Sequence, residues 1–139
     1  MALLEKWLRV KRSKLPKSGK GLFTTLALSK GQRIVEYKGR IRKWKEAKWE
    51  DATNAYLLHI NNQTVIDGRE SKCLARYIND ARGFTKTIGL KNNTEFVTEG
   101  RRCFIEATRA IAKGDELFVG YGRDYWALDR KTRREEEGR

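Results

Sequence analysis

The chain is divided into short runs of alternating or apolar residues, each closed by glycine, asparagine or serine, and this rules out a helical bundle. Leu8-Arg9-Val10-Lys11 alternates, Leu22 to Ala27 follows a turn-rich loop from Ser13 to Gly21, and Arg33 to Tyr37 lies between Gly31 and Gly39. Tyr56 to Ile60 and Thr64 to Asp67 flank Asn61-Asn62-Gln63 as the two arms of a hairpin. Thr94 to Val97, Cys103 to Ala107 and Glu116 to Val119 complete the set. A period near two, in β-branched and aromatic residues bounded by turn formers, predicts strands. Helical spacing occurs in only two places. Trp44, Ala47, Lys48 and Trp49 predict a short amphipathic helix within 42–52, and Leu74, Tyr77 and Ile78 predict another within 73–78. Many short strands and little helix make the fold class mostly β.

With 139 residues, one core is expected. No apolar run approaches the roughly 20 residues of a membrane-spanning helix. Ala2-Leu3-Leu4 is interrupted by Glu5 and Lys6, so no secretory signal is read and a soluble, intracellular protein is expected. The two cysteines, Cys73 and Cys103, form neither a disulfide framework nor a zinc motif and read as small buried residues. His59, the single histidine, has no partner for a metal site and receives no role. Net charge is +13, and residues 6 to 35 hold nine Lys/Arg and no acid. Such a segment suits contact with a polyanion or a solvated surface, and charge alone does not choose. The tail from Arg130 has no aromatic or aliphatic residue and is expected to stay unstructured.

Three segments carry the chemistry. Gly19-Lys20-Gly21 combines two glycines that permit a positive φ and close approach of a ligand, although the third glycine and following helix of a dinucleotide fingerprint are missing. By itself it is an ordinary turn. Arg76-Tyr77-Ile78-Asn79-Asp80-Ala81 places a polar pair after an apolar turn, where Asn79 could simply tie two loops together. Tyr121 follows an apolar strand and sits between Gly120 and Gly122, either projecting its hydroxyl into a cavity or satisfying it in the core.

In this order and spacing, Ser18-Gly19-Lys20-Gly21-Leu22-Phe23, Arg76 to Ala81 and Glu116 to Trp126 resemble the SET-domain family of protein lysine methyltransferases. The resemblance covers about residues 8 to 126 and implies several small sheets, short helices and a C-terminal pseudoknot. It implies a minimal SET domain over 1–128 with a charged tail over 129–139. S-adenosylmethionine is the implied cofactor, contacted by Ser18, Gly19, Lys20, Tyr56, Asn79 and Asp80, with Trp126 covering the adenine. Tyr121 is the implied catalytic tyrosine, and Tyr37, in Glu-Tyr-x-Gly, lines the lysine channel. Asp80 departs from the histidine usual at its position, and the loop from Arg82 to Leu90 is longer than usual. Asn93 matches a further family asparagine. Phe96 falls where the family carries Tyr or Phe, and Phe implies di- or trimethylation, unless it is only a core residue of its strand.

The chemistry asks for such an aromatic site. The acceptor is a neutral lysine amine, and deprotonating a free lysine of pKa about 10.4 at pH 7 costs about 4.6 kcal/mol. Burial beside a sulfonium cation lowers that pKa. In-line methyl transfer then depends on alignment more than on acid–base machinery. The expected substrate is a histone or another basic, nucleic-acid-associated protein, with chromatin or nucleosome contact through the basic first third. A homodimer is left open, and the compartment would be nuclear in a eukaryote or virus and cytoplasmic in a bacterium. The alternative is an inactive SET-like module that binds nucleic acid or chromatin.

Overall fold

The computed structural model describes residues 3–16, 18–50, 53, 56–81 and 89–121. Nine strands follow one another: β1 (Leu8–Arg12), β2 (Lys20–Thr24), β3 (Arg33–Tyr37), β4 (Arg40–Lys43), β5 (Leu57–His59), β6 (Thr64–Asp67), β7 (Thr94–Glu99), β8 (Arg102–Ala107) and β9 (Glu116–Leu117). They form three small sheets, in the orders β1-β2-β9, β3-β8-β7 and β4-β6-β5, and every pair is antiparallel. The mostly β architecture of several small sheets is therefore present.

Alternation explains the outer sheet. Leu8 and Val10 turn toward the core opposite Thr24 and Leu22, whereas Arg9 and Lys11 stand on the other face. The middle strand β8 buries Cys103, Phe104 and Ile105 in succession, because both of its faces are covered. One main core joins the sheets, with Leu22, Ile34, Ile66, Ile78, Ile105 and Leu117 at its centre. Leu15, Ala81 and Phe118 make a smaller cluster beside it.

Besides shifts of one or two residues at other strand ends and the unexpected β4, four elements depart from the sequence expectation. The strand expected over 22–27 ends at Thr24, whose hydroxyl donates to the Leu26 carbonyl at 2.8 Å and accepts from the Leu26 amide at 3.1 Å, closing a turn. The helix expected within 42–52 shrinks to one turn, α1 (Trp44–Ala47), and a 3-10 turn, Lys48–Glu50. Its first two residues belong instead to β4, where Arg42 pairs with Glu50 at 2.5 Å and Asp67 at 2.8 Å. The helix expected at 73–78 is the 3-10 turn Leu74–Tyr77. The last ladder stops at Leu117, and Phe118 and Val119 make single parallel bridges to Asn79 and Thr94. The C-terminal segment thus runs between two stretches of an earlier part of the chain, as the expected pseudoknot requires.

Candidate functional site

Asparagine amides build the crossing, because one side chain can donate and accept at once. Asn93 donates from Nδ2 to the Glu116 carbonyl at 3.0 Å and accepts the Phe118 amide on Oδ1 at 2.8 Å, so it grips the segment on either side of Leu117. The Phe118 carbonyl accepts from the Asn93 amide, the Thr94 amide and the Thr94 hydroxyl at 3.1, 3.0 and 2.8 Å. Asn79 accepts the Val119 amide on its backbone carbonyl at 2.9 Å, and its side chain donates from Nδ2 to the Lys20 carbonyl at 3.0 Å. One asparagine therefore links the Ser18–Gly21 turn, the Arg76–Ala81 segment and the strand leading to Tyr121.

Tyr121 is fixed at both ends. Its hydroxyl donates to the Ile78 carbonyl, and its amide donates to Oδ2 of Asp80 at 2.9 Å. Asp80 is only 5% exposed, and its other oxygen accepts from Nδ2 of Asn92 at 3.0 Å. Asn92 in turn accepts the Ala81 amide at 2.8 Å. Hydrogen bonds to an ionised acceptor are stronger than neutral ones, which suits a buried carboxylate to this task. Asp80 thus orients the backbone of the tyrosine through its side chain.

The turn preceding β2 has two different glycines. Gly19 has φ +62° and is exposed, and among the described residues no atom lies within 4 Å of the place where a Cβ would stand, which leaves its face open to them. Gly21 meets the protein rather than a ligand: a Cβ there would lie 2.2 Å from Oε2 of Glu116. Glu116 is 3% exposed and accepts the Ser13 hydroxyl at 2.6 Å and the Lys14 amide at 2.8 Å. Sequence reading gave Glu116 no role. Its one signal was an acid at the head of an apolar strand.

A second group is aromatic. Tyr37 is 6% exposed, and its hydroxyl donates to the Tyr56 carbonyl at 2.9 Å. Burial, helped by nearby Cys73, pushes the Tyr37 phenol well above its ordinary pKa, which excludes it as a base at neutral pH. The Phe96 ring meets the Tyr37 ring edge-on, 6.3 Å between centroids at 80°. The Arg76 guanidinium lies 4.4 Å from the Tyr56 ring centroid and donates to the Ser71 carbonyl at 2.5 Å. Arg76 was read only as part of a motif; the structure makes it the support of Tyr56. Tyr37 belongs to the main core, and Phe96 and Tyr121 pack against it.

Lys20, Asn79, Asp80 and Tyr121 are thus joined by direct bonds, while Tyr37, Tyr56 and Phe96 form a neighbouring set. Ser18 is half-buried, with its amide on the Leu15 carbonyl at 3.3 Å. Trp126, Gly122, residues 82–88 and the 129–139 tail lie outside the described residues. His59 stacks on Trp44 at 4.4 Å, and no group of potential metal ligands occurs among the described residues. Cys103 is buried as expected, but Cys73 is only half-buried, held by the Lys38 backbone.

The family profile described as SET domain matches residues 19–122, from the glycine of the open turn to the residue after Tyr121. The chain belongs to the SET-domain family. This SET domain is 33% identical over 135 residues to histone-lysine N-methyltransferase ASHH3 of Arabidopsis thaliana, covering 83% of the chain and 35% of that protein. It is 28% identical over 115 residues to N-lysine methyltransferase KMT5A-A of Danio rerio, covering 75% of the chain and 32% of the relative. It is 31% identical over 122 residues to histone-lysine N-methyltransferase ash1 of Drosophila melanogaster, covering 81% of the chain and 5% of the relative. The SET domain therefore spans about a third or less of the length of these relatives. None of its helices is long and apolar enough to cross a membrane, among the described residues.

Proposed function

We propose that this SET domain is a protein-lysine N-methyltransferase that uses S-adenosylmethionine. The observation that carries the reading is the bonded circuit from Lys20 through Asn79 to the strand that ends in Tyr121. It brings an open backbone turn and a fixed phenol to opposite sides of one asparagine. The residues present fit the cofactor: Gly19 leaves an open face beside Ser18 and Lys20, and Tyr56 adds an aromatic surface. Trp126 is the proposed cover for the adenine.

When bound, the cofactor supplies an electrophilic methyl group on a sulfonium. The work of the chain is to orient the acceptor amine and keep it neutral. The buried Tyr37 and the half-buried Phe96 offer an aromatic wall, which disfavours the ammonium form that otherwise dominates by about 4.6 kcal/mol at pH 7. The Tyr121 hydroxyl donates its hydrogen bond to the Ile78 carbonyl, so toward an approaching amine its oxygen acts as an acceptor. It orients the nucleophile without having to become a base, consistent with a phenol pKa of about 10.

Asp80, with the basic first third, gave the sequence its arguments for an inactive module. Its carboxylate is engaged on Tyr121 and Asn92, a positioning task that needs no imidazole, and this favours the enzyme. Phe96 in place of a tyrosine favours transfer of two or three methyl groups. The relatives named for histones favour a histone-like basic protein as substrate. Incorporation of labelled methyl into a peptide library tests the assignment, with a sharp fall expected in Tyr121→Phe. Absence of incorporation together with absence of cofactor binding by calorimetry would remove it. Mass spectrometry of the product reads the degree: Phe96→Tyr should hold it at one methyl, and a parent protein that stops at one methyl refutes the Phe96 reading.

A further inference from the structure

Lys6, Arg9, Lys11, Arg12, Lys14 and Lys20 are all exposed; Arg9, Lys11 and Arg12 lie on β1, Lys6 and Lys14 on the segments that flank it, and Lys20 opens β2 opposite Arg12. β1 is the outer strand of its sheet, paired on one side only. Arg9 and Lys11 share a face, roughly 6.7 Å apart at strand spacing. Aromatic rings and carbonyls hold these side chains: Lys11 Nζ lies 4.4 Å from the Phe23 ring centroid, Lys6 Nζ 5.3 Å from that of Trp7, and Arg9 donates to the Lys6 and Leu8 carbonyls at 2.8 Å each. The ion pairs of the described residues lie elsewhere. Arg33 and Arg102 pair with Glu99, Glu106 and Glu36 on the β3-β8-β7 sheet, and Arg42 and Arg69 pair with Glu50 and Asp67 around the β4-β6-β5 sheet. Glu116, the acid of the β1-β2-β9 sheet, is buried and turned to Ser13 and the Lys14 amide. Among the described residues the ion pairs thus lie on two sheets, whereas the stretch from Lys6 to Lys20 carries these six exposed cations and no acid.

We propose that β1 and its flanking segments form a strip that binds the backbone of duplex DNA without reading its sequence. Five strand residues span roughly 16 Å, a length over which a duplex presents about ten phosphates at one per 1.7 Å. A row of cations without a recognition helix or ribbon contacts phosphates rather than base edges. Lys20 ends the strip and also carries the carbonyl held by Asn79, so the bound duplex lies next to the candidate site. The strip shares Lys20 with the proposed cofactor turn, but duplex binding is read without methyl transfer and does not depend on it.

Fluorescence anisotropy with a labelled random-sequence duplex, titrated with salt, tests it. Four to six neutralised phosphates give a slope of log K against log salt of about −3.6 to −5.4. Arg9→Glu with Lys11→Glu should weaken binding at least tenfold and lessen the slope by about 1.8. Lys43→Glu with Lys45→Glu makes the same charge change at the end of β4 and the start of α1 and should move affinity less than threefold. Arg9→Gln with Lys11→Gln, which removes the charges without reversing them, must give the same ranking, and thermal melting checks that each variant is folded. Equal losses in the two Glu pairs, or a slope shallower than about −1.8, would overturn the strip. Single-stranded DNA, RNA or polyaspartate displacing the duplex more effectively than unlabelled duplex itself would overturn the choice of partner.

Discussion

Replacing Asp80 by asparagine isolates the clamp on Tyr121, because it changes hydrogen-bonding capacity and almost nothing else. Among the described residues, the carboxylate accepts from the Tyr121 amide at 2.9 Å and from Asn92 Nδ2 at 3.0 Å. An amide offers one acceptor and must turn its NH2 toward one of those donors. One bond to a charged group is lost, about 1.5–3 kcal/mol, and a buried donor faces another donor, about 1–3 kcal/mol, with partial overlap between the two. Asp80→Asn should therefore cost about 2–4 kcal/mol, which a domain with 5–15 kcal/mol of stability survives. Urea unfolding measures it. If the domain methylates, kcat should fall about a hundredfold, the effect of a displacement of roughly 1 Å at the reacting centre, while KM for the peptide changes little. The decisive arm is the swap, Asp80→Asn with Asn92→Asp. The introduced amide then accepts the Tyr121 amide and donates to the introduced carboxylate, whose other oxygen accepts the Ala81 amide as Asn92 does now. Every group is satisfied again, so the double variant should recover most of the stability and rate. A single variant within 0.5 kcal/mol of the parent, or a swap worse than the sum of its parts, refutes the clamp.

Gly21→Ala should destabilise by at least about 2 kcal/mol, since the new methyl would sit 2.2 Å from the buried Glu116 carboxylate; an unchanged urea midpoint contradicts the close approach. Burial pushes the Cys103 thiol up to about 11, leaving roughly one thiolate in a thousand at pH 8, whereas Cys73 is half-buried. The folded chain should expose one rapidly labelled thiol to a disulfide reagent and two after denaturation, and equal labelling rates in the fold would be inconsistent with this packing. The Arg102 guanidinium holds the Glu36 carboxyl below its ordinary pKa. The contribution of that pair is present above the unfolded carboxyl's pKa and disappears as pH falls through the lower folded value. The stability difference between parent and Arg102→Ala should accordingly be constant near neutrality and shrink below about pH 4; a difference that persists unchanged to pH 3 would count against it.

The sequence made strands legible where local signals agreed. Arg33–Tyr37 has the predicted bounds because its alternation is bracketed by Gly31 and Gly39. The 42–52 stretch misled because Arg42 is committed to Glu50 and Asp67 through a ladder that periodicity within the window does not register. In the site, Asn79 and Tyr121 were legible because their motifs are local. Glu116 was not, because its meaning depends on the missing side chain at Gly21 and on Ser13, far away in sequence. Asp80 was legible as a departure but not as a clamp, since its two partners come from separate segments.

The bond from Ser13 to Glu116 spans 103 residues. At ribosomal speeds of 5–20 residues per second, the loop at Ser13 and the edge of β2 wait roughly 5–20 s for the strand that completes them. During that interval β2 is a nascent sheet edge with an open backbone, the condition under which chains pair with the wrong neighbour. Assembly of the tyrosine end is then a late, long-range closure, slow for its size. A chaperone that shields β2 until translation has passed Leu117 would raise the yield of competent domain more than any stabilisation of the finished fold.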